Sequence, residues 1–244
     1  MKVRAAFIAA RALIFIPTVT AAASALAILI SYFIRDGRFI HQYIVRPSSR
    51  IILWLADAKV TVSGYENVPD ATQACITVFN HQSHLDIPLL AYSLPMQLRF
   101  IGKKELKRVP FFGPAILRMG HFLINRKDHQ SALKELKIAG ESIRGKGISL
   151  GFAPEGTRSP DGCLLPFRKG AFVLSIETGL PILPVTVDGT SKGLPKGSLI
   201  ARSSRVHVTI HPQVSPSGFT YENRDALLEK VRNIIEIPLT VKVS

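Results

Sequence analysis

Cysteine and acidic residues are scarce in this sequence. Its 244 residues include only two cysteines, Cys75 and Cys163, too few for a disulfide scaffold, and we expect both to be reduced thiols in or near the core. Aspartate and glutamate total 17 against 31 lysines and arginines, so the formal net charge of +14 predicts an anionic partner. A hydrophobic fraction of 47% with only 20% charged residues excludes a chain that is disordered throughout.

A long apolar run stands near the N-terminus. Residues 13–34 read LIFIPTVTAAASALAILISYFI and carry no charge, and such a run is long enough to cross a hydrocarbon core of about 30 Å as a helix. It fits a spanning helix or a bent helix lying in one leaflet, and a signal peptide cleaved near residues 23–25 is a further reading. Residues 39–54 mix aromatic and aliphatic side chains with arginines, which favours a helix at an anionic interface. We therefore expect residues 1–58 to form a membrane-associated helical segment.

The sequence pattern of the remaining chain, residues 59–244, is typical of one α/β domain. Short apolar runs alternate with Gly, Pro and polar clusters, without a repeat or a long linker, which predicts a mixed central sheet flanked by helices. The Gly/Ser/Lys-rich loop 188–204 is expected to be mobile or surface-exposed. We predict helices over 130–144, 171–178 and 224–237, the last ending before Pro238, and strands over 59–65, 74–80, 98–102, 121–124, 148–152, 182–187 and 205–211.

The first chemically distinctive cluster, residues 80–86, follows a predicted buried strand. A histidine side chain is mostly neutral at physiological pH, so His81 could take a proton from a substrate hydroxyl. Asp86 could accept a hydrogen bond from the far ring nitrogen and stabilise the imidazolium as it forms. Helix capping is the alternative, because Ser83 and Asp86 have capping-box spacing.

The second cluster, residues 152–159, again follows a β-like run. Arg158 could bind a phosphate through two charge-assisted hydrogen bonds, Gly156 would let the backbone approach it, and Thr157 or Ser159 would add a donor. Glu155 is better suited to a sugar-alcohol hydroxyl or to an arginine that it orients. A plain turn is the alternative, since Pro-Asp-Gly follows at once.

Two other function classes receive little support. His84, His207 and His211 lack the ligand spacing of a zinc site, so no metal is expected. The charge alone suggests nucleic-acid binding, but the sequence shows neither a reading helix nor a basic sheet interleaved with aromatic residues.

Taken in order, these segments resemble the glycerolipid acyltransferase family, in particular the bacterial type of 1-acylglycerol-3-phosphate acyltransferases. Four blocks of the family's pattern can be matched over about residues 60–190, and one minor departure is Ala153 between Phe152 and Pro154. The matching blocks are His81 to Asp86 after Asn80, Lys103 to Gly113 continuing to Asn125 and Arg126, Glu155 to Ser159 followed by Phe167, Lys169 and Gly170, and Leu180 to Val185.

The resemblance implies a glycerol-3-phosphate acyltransferase-like fold and a role for each block. His81 would deprotonate the 2-hydroxyl of lysophosphatidic acid, with Asp86 orienting it, and the alkoxide would attack an acyl thioester. The donor would be acyl-CoA or an acyl-acyl-carrier protein, with no bound cofactor. Phosphate-binding residues would be Arg158, Thr157, Gly156 and, in support, Lys103, Lys104 or Arg126, while Glu155 would position the glycerol and Pro184 and Phe111–Phe112 would shape the acyl pocket.

The resemblance also implies a location. Acyl thioesters are cytoplasmic, so the active site would face the cytoplasm from the inner membrane, and the N-terminal segment would give access to a membrane-embedded substrate. Arg35, Arg38, Arg46 and Arg50 would hold the domain on anionic headgroups at about 1 kcal/mol each. Two alternatives are an acyltransferase for another lyso-lipid and a non-enzymatic protein that binds anionic membranes.

Overall fold

The computed structural model describes residues 2–34, 37–70, 72–125 and 129–240. Within these ranges a seven-stranded mixed sheet forms the centre of the protein, and every strand expected from the sequence is present. The strands are β1 Ala58–Ser63, β2 Ile76–Phe79, β3 Gln97–Lys103, β4 Phe122–Ile124, β5 Ile148–Phe152, β6 Ile182–Asp188 and β7 Ser204–Ile210.

The sheet has the strand order β1-β7-β6-β2-β5-β3-β4. Strands β6, β2, β5, β3 and β4 are parallel to one another, whereas β7 is antiparallel to β6 and β1 is parallel to β7. The central strands β2 and β5 are buried along their whole length, as expected for parallel strands covered on both faces. The carboxyl ends of the five parallel strands therefore meet at one edge, where α/β proteins place their ligand sites.

Helices cover both faces of this sheet. Helices α6, α7 and α9 pack on one face around Leu150 and Phe172, and α3 and α4 pack on the other around Leu53 and Phe79. The predicted helices α6, α7 and α9 are confirmed, while α4, α5 and α8 were not among them. The helices are α1 Lys2–Ser31, α2 Gly37–Ile40, α3 Arg46–Leu55, α4 Asp86–Ser93, α5 Phe112–Arg118, α6 His129–Ile143, α7 Gly170–Thr178, α8 Thr190–Gly193 and α9 Arg224–Thr240, and a π-helical turn, His41–Val45, joins α2 to α3.

Helix α1 lies along the α/β domain rather than standing apart from it. Near its start, Ile8 and Ala12 pack against Leu85, and near its end Ala27 packs against Ile40. Small residues on this stripe let the helix approach its neighbours closely. The cut site considered for a signal peptide lies inside this packed helix.

Two of the four arginines expected at lipid headgroups donate hydrogen bonds to the domain. Arg46 Nε donates to the carbonyl oxygen of Tyr92 at 3.1 Å, and Arg38 Nη2 donates to that of Lys146 at 2.8 Å. Arg50 is exposed, and Arg35 lies outside the described residues. These contacts connect α3 to α4, and α2 to the turn between α6 and β5.

Three expectations from the sequence are wrong in detail. Pro238 lies inside α9, because a proline so near the end of a helix removes only one late hydrogen bond. Cys75 is buried as expected, but Cys163 is exposed, since it follows a surface turn. The loop 188–204 contains α8, and its Thr190 is fully buried, so only part of the loop is exposed.

The turn from β6 into α8 requires glycine. Gly189 has φ +86°, and a Cβ there would overlap the backbone carbonyl of Arg205, whereas Gly179 has φ +69° with open space around it. We expect Gly189→Ala to destabilise the protein by about 3 kcal/mol or more, and Gly179→Ala by about 1 kcal/mol, the cost of the positive φ alone. Urea unfolding of the two variants measures both values. Equal losses would show that the contact with Arg205 is not limiting.

Candidate active site

The candidate site lies at the edge where the parallel strands end. The segment 80–86 follows β2, the segment 153–159 follows β5, and Thr190 follows β6. Because β2 lies between β6 and β5, these three segments are neighbours in space although they are far apart in the chain.

Asp86 is the most enclosed charged group of this edge, with 0% of its surface exposed. Its Oδ2 accepts hydrogen bonds from the backbone amides of Gln82 at 2.7 Å and Ser83 at 2.9 Å, and it lies 2.7 Å from His81 Nδ1. Its Oδ1 accepts a hydrogen bond from the hydroxyl of Thr190 at 2.6 Å. A buried carboxylate is tolerated only with such partners, so the carboxylate is fixed in one orientation.

The hydrogen bond from His81 to Asp86 defines the state of the imidazole ring. Because the carboxylate is the acceptor, Nδ1 carries the proton, and the lone pair of Nε2 is on the opposite side of the ring. The His81 side chain is 20% exposed, so the ring can be reached from the surface. This is the geometry of a general base oriented by a carboxylate.

The capping box considered from the sequence is only half formed. Asp86 accepts a hydrogen bond from the amide of Ser83, but Ser83 Oγ accepts one from the amide of Leu85 at 3.1 Å and not from that of Asp86. Helix α4 therefore begins at Asp86 without a side-chain cap. The carboxylate of Asp86 serves the turn before the helix and His81 together.

Glu155 holds the backbone of His81. Its Oε1 accepts a hydrogen bond from the amide of His81 at 2.6 Å, and its Oε2 accepts one from the amide of Leu165 at 3.0 Å. The side chain is buried, and burial raises the pKa of Glu155 while these amides oppose the rise. In addition, the carbonyl of His81 accepts from the amide of Ser159 at 2.7 Å. Both strand-end segments are thereby tied together at His81.

Asn80 fastens the same segment to β6. Its Nδ2 donates to the carbonyl of Val187 at 2.8 Å and its Oδ1 accepts from the amide of Val187 at 2.7 Å. The amide side chain is buried, so both bonds are shielded from water. They set the distance between the ends of β2 and β6.

The Gly156–Ser159 segment lies beside the dyad. Arg158 is partly exposed, and it is close enough to His84 that its charge helps lower the pKa of His84, after burial and together with His81. Thr157 is exposed, and the side chain of Arg168 occupies the space that a Cβ on Gly156 would take. Positive charge therefore gathers next to His81.

Ser159 is committed to a turn rather than to a ligand. Its hydroxyl donates to Asp161 Oδ1 at 2.9 Å and accepts from the amide of Gly162 at 3.0 Å. Of the two hydroxyls considered for an anion, only that of Thr157 is exposed. The turn that the sequence offered as the alternative, Pro160–Gly162, directly follows the Gly156–Ser159 segment. We call Gly156–Ser159 the cationic segment, and the hydrogen bonds of Ser159 anchor it to the turn.

The remaining predicted site residues are placed differently. Lys103 and Lys104 are exposed at the carboxyl end of β3, one parallel strand beyond β5. Pro184 lies within β6, buried and paired with Val78, so the structure does not bring it to the edge of the sheet. Arg126 lies outside the described residues. Among the described residues, three or more His, Cys, Asp or Glu side chains nowhere form a group that could hold a metal ion.

The role of Thr190 was not among the predictions from the sequence. This residue is 104 positions from Asp86, in a segment whose composition suggested only a surface loop. The two hydrogen bonds from backbone amides to Glu155 could not be predicted either, because almost every residue has a backbone amide and the sequence does not mark which ones are used. A clue to Thr190 was its place directly after a predicted parallel strand.

Comparisons with known proteins agree with this geometry. Residues 59–188 match the model of the Acyltransferase family. The chain is 38% identical to a chloroplastic 1-acyl-sn-glycerol-3-phosphate acyltransferase of Brassica napus, over 83% of this chain and 57% of that protein. It is 31% identical to the 1-acyl-sn-glycerol-3-phosphate acyltransferase of Borreliella burgdorferi, over 78% of each chain.

A solved structure is similar over the whole chain. The crystal structure of the 1-acyl-sn-glycerophosphate acyltransferase from Thermotoga maritima has a TM-score of 0.81 and 30% identity, covering 100% of this chain and 99% of that one. The chain spans only 50% and 57% of the two chloroplastic relatives from Arabidopsis thaliana and Brassica napus. Family model, relatives and fold together show that the chain belongs to the acyltransferase family.

Proposed function

We propose that the protein transfers an acyl chain from an acyl thioester to the 2-hydroxyl of 1-acylglycerol-3-phosphate, which forms phosphatidic acid. The single observation that carries this proposal is the buried hydrogen bond between Asp86 and His81, with Nε2 of the ring directed away from it. Relatives bearing the name 1-acyl-sn-glycerol-3-phosphate acyltransferase support the choice of acceptor.

The reaction needs one proton shuttle and no covalent enzyme intermediate. His81 Nε2 takes the proton of the acceptor's 2-hydroxyl, and the oxygen of that hydroxyl attacks the thioester carbonyl. Asp86 stabilises the imidazolium through the 2.7 Å contact to Nδ1. The tetrahedral intermediate then collapses, the carbon–sulfur bond breaks, and the departing thiolate receives the proton from Nε2.

The cationic segment beside the dyad would hold the acceptor's phosphate. Arg158 supplies a planar pair of donors and Thr157 an exposed hydroxyl. Gly156, whose amide donates to the carbonyl of Ala153, would contribute the turn that presents them. Lys103 and Lys104 would add charge from the end of β3, and we retain Arg126 as a further phosphate ligand. We assign Glu155 to positioning His81, because both of its oxygens already bind backbone amides.

The acyl chain of either substrate would come from the membrane. Val3–Ser31 is long and apolar enough to span a bilayer by length and composition. However, one side of α1 packs on the domain at both ends, while large apolar side chains on other sides are exposed. The exposed side chains include Phe7, Leu13, Ile14, Phe15, Leu26 and Leu29.

This packing favours the in-leaflet arrangement over a spanning helix. A helix that crossed the bilayer would have to lose its contacts with Leu85 and Ile40 or draw the domain into the hydrocarbon. Lying in the interface, α1 can bury its exposed apolar face over a length of about 45 Å and keep those contacts. We place the protein on the inner membrane with its site open to the cytoplasm, where acyl-CoA and acyl-carrier protein are available.

Removal of the base tests the reaction directly. We expect His81→Ala to lower kcat about 10³-fold, because the variant lacks the imidazole nitrogen that takes the proton. The assay is formation of phosphatidic acid by detergent-purified protein from acyl-CoA or acyl-acyl-carrier protein, with lysophosphatidic acid as acceptor. Lyso-lipids with other headgroups are assayed in parallel. Activity with one of these alone would show that the acceptor is not lysophosphatidic acid. Turnover by the His81→Ala variant at the wild-type rate would show that His81 is not the general base.

Arg158 gives a test of the phosphate site. Arg158→Ala should raise the KM for lysophosphatidic acid about tenfold or more and leave that for monoacylglycerol nearly unchanged, because only the first carries a phosphate. Arg205→Ala, which removes an exposed arginine from β7, is the matched control. An equal effect on both acceptors would assign Arg158 another role.

Thr190 should act as a positioning residue. Replacing it with valine leaves Asp86 Oδ1 without its hydroxyl donor, and we expect kcat to fall about tenfold with KM unchanged. Thr190→Ser keeps the donor and should restore most of the activity. If serine and valine variants behave alike, packing rather than the hydrogen bond explains the residue.

A further inference from the structure

The segment between α8 and β7 carries an exposed apolar tip. Leu199 is 73% exposed and Ile200 is 56% exposed, although both are large aliphatic residues. Lys196 on one side and Arg202 on the other are also exposed. We call residues 195–202 the α8–β7 tip.

The tip is a built projection rather than an unstructured loop. The amide of Ser198 donates to the carbonyl of Pro195 at 3.0 Å, and the hydroxyl of Ser198 accepts from the amide of Ile200 at 3.0 Å. At the base, the amide of Arg202 donates to the carbonyl of Gly193 at 2.8 Å. These bonds present Leu199 and Ile200 to solvent in a defined turn.

The base of the tip packs against α1. Leu194 and Ala201, which flank the projection, belong to the same apolar cluster as Ile8 and Ala12. Ala201 is buried there, so the tip and the first half of α1 form one continuous surface. Phe7, which precedes Ile8 in the chain, is itself exposed.

We infer that the α8–β7 tip is a second membrane contact, which inserts Leu199 and Ile200 into an anionic bilayer beside α1. Moving two adjacent exposed apolar side chains from water into the acyl-chain region of a bilayer lowers the free energy. Lys196 and Arg202 are exposed in the same tip, and basic residues near a membrane surface are attracted to its anionic lipids. The inference rests on the proposed in-leaflet position of α1.

Such a contact would set the height of the active site above the membrane. The carbonyl of Leu194 accepts the hydroxyl of Ser83 at 2.7 Å, and Thr190, in the same connection, binds Asp86. The residues that lead into the tip therefore bind Ser83 and Asp86 directly. A bilayer that holds the tip would keep the opening at His81 next to the lipid headgroups.

Vesicle binding tests this contact. The double variant Leu199→Ser/Ile200→Ser should bind vesicles of phosphatidylcholine and phosphatidylglycerol about tenfold more weakly than the unaltered protein, because two aliphatic side chains no longer enter the bilayer. Ile237→Ser is the matched control, since Ile237 is 62% exposed but belongs to α9, which packs on the other face of the sheet from α3. It should bind like the unaltered protein.

A fluorescence measurement reports insertion directly. Trp54 is the single tryptophan of the chain, so Trp54→Phe combined with Leu199→Trp places one fluorophore at the tip. Its emission should shift to the blue on vesicle binding and be quenched by lipids brominated on their acyl chains. Trp54→Phe combined with Ile237→Trp should show neither change.

The outcomes separate this inference from the proposed function. Normal vesicle binding by the double serine variant, or an unquenched tryptophan at 199 on bound protein, would overturn the tip as a membrane contact and leave α1 and the chemistry intact. Failure of the unaltered protein to bind vesicles would overturn the membrane proposal for α1 and the tip together. Acyl transfer in detergent is measured separately and bears only on the reaction.

Discussion

A carboxylate removed from water organises the catalytic edge of this protein. Asp86 receives hydrogen bonds from its own turn and from Thr190, which lies on another strand connection. Without any one of these donors, the buried carboxylate would lack a hydrogen-bond partner, which is energetically costly. The turn after β2 and the connection after β6 must therefore pack against each other. The orientation of His81 follows from this docking. Glu155 supplies the second fixed point, on the backbone of the same histidine.

Much of the fold could be predicted because the sheet is covered on both faces. Buried parallel strands such as β2 and β5 have mainly apolar sequences, interrupted by Thr77 in one and by Ser149 and Gly151 in the other, and polar clusters mark where they stop. The short helices α4, α5 and α8 were not predicted, since each has eight residues or fewer. Such a helix is too short to show the repeated apolar spacing that identifies a helix in a sequence. The dyad was visible as a spacing within one turn. Thr190 was not, because its partner is distant in the chain and a buried threonine has no sequence signature.

The N-terminal segment shows a different limit of sequence reasoning. A run that is apolar on every side satisfies the criteria for a spanning helix, whatever it packs against. The in-leaflet arrangement that we propose is supported by the small residues Ala12 and Ala27, which pack against the domain. Only three-dimensional packing separates these alanines from the others in the same run.

The reversed direction of two strands has a consequence for how the chain is laid out. Because β1 and β7 run against the other five strands, their first residues, Ala58 and Ser204, lie at the edge where β6 and β2 finish. The N-terminal helices enter the sheet through β1, and the exposed tip returns to it through β7. An all-parallel sheet would deliver both to the opposite rim. Strand polarity alone thus brings the N-terminal helices and the tip to the rim that carries His81 and Asp86.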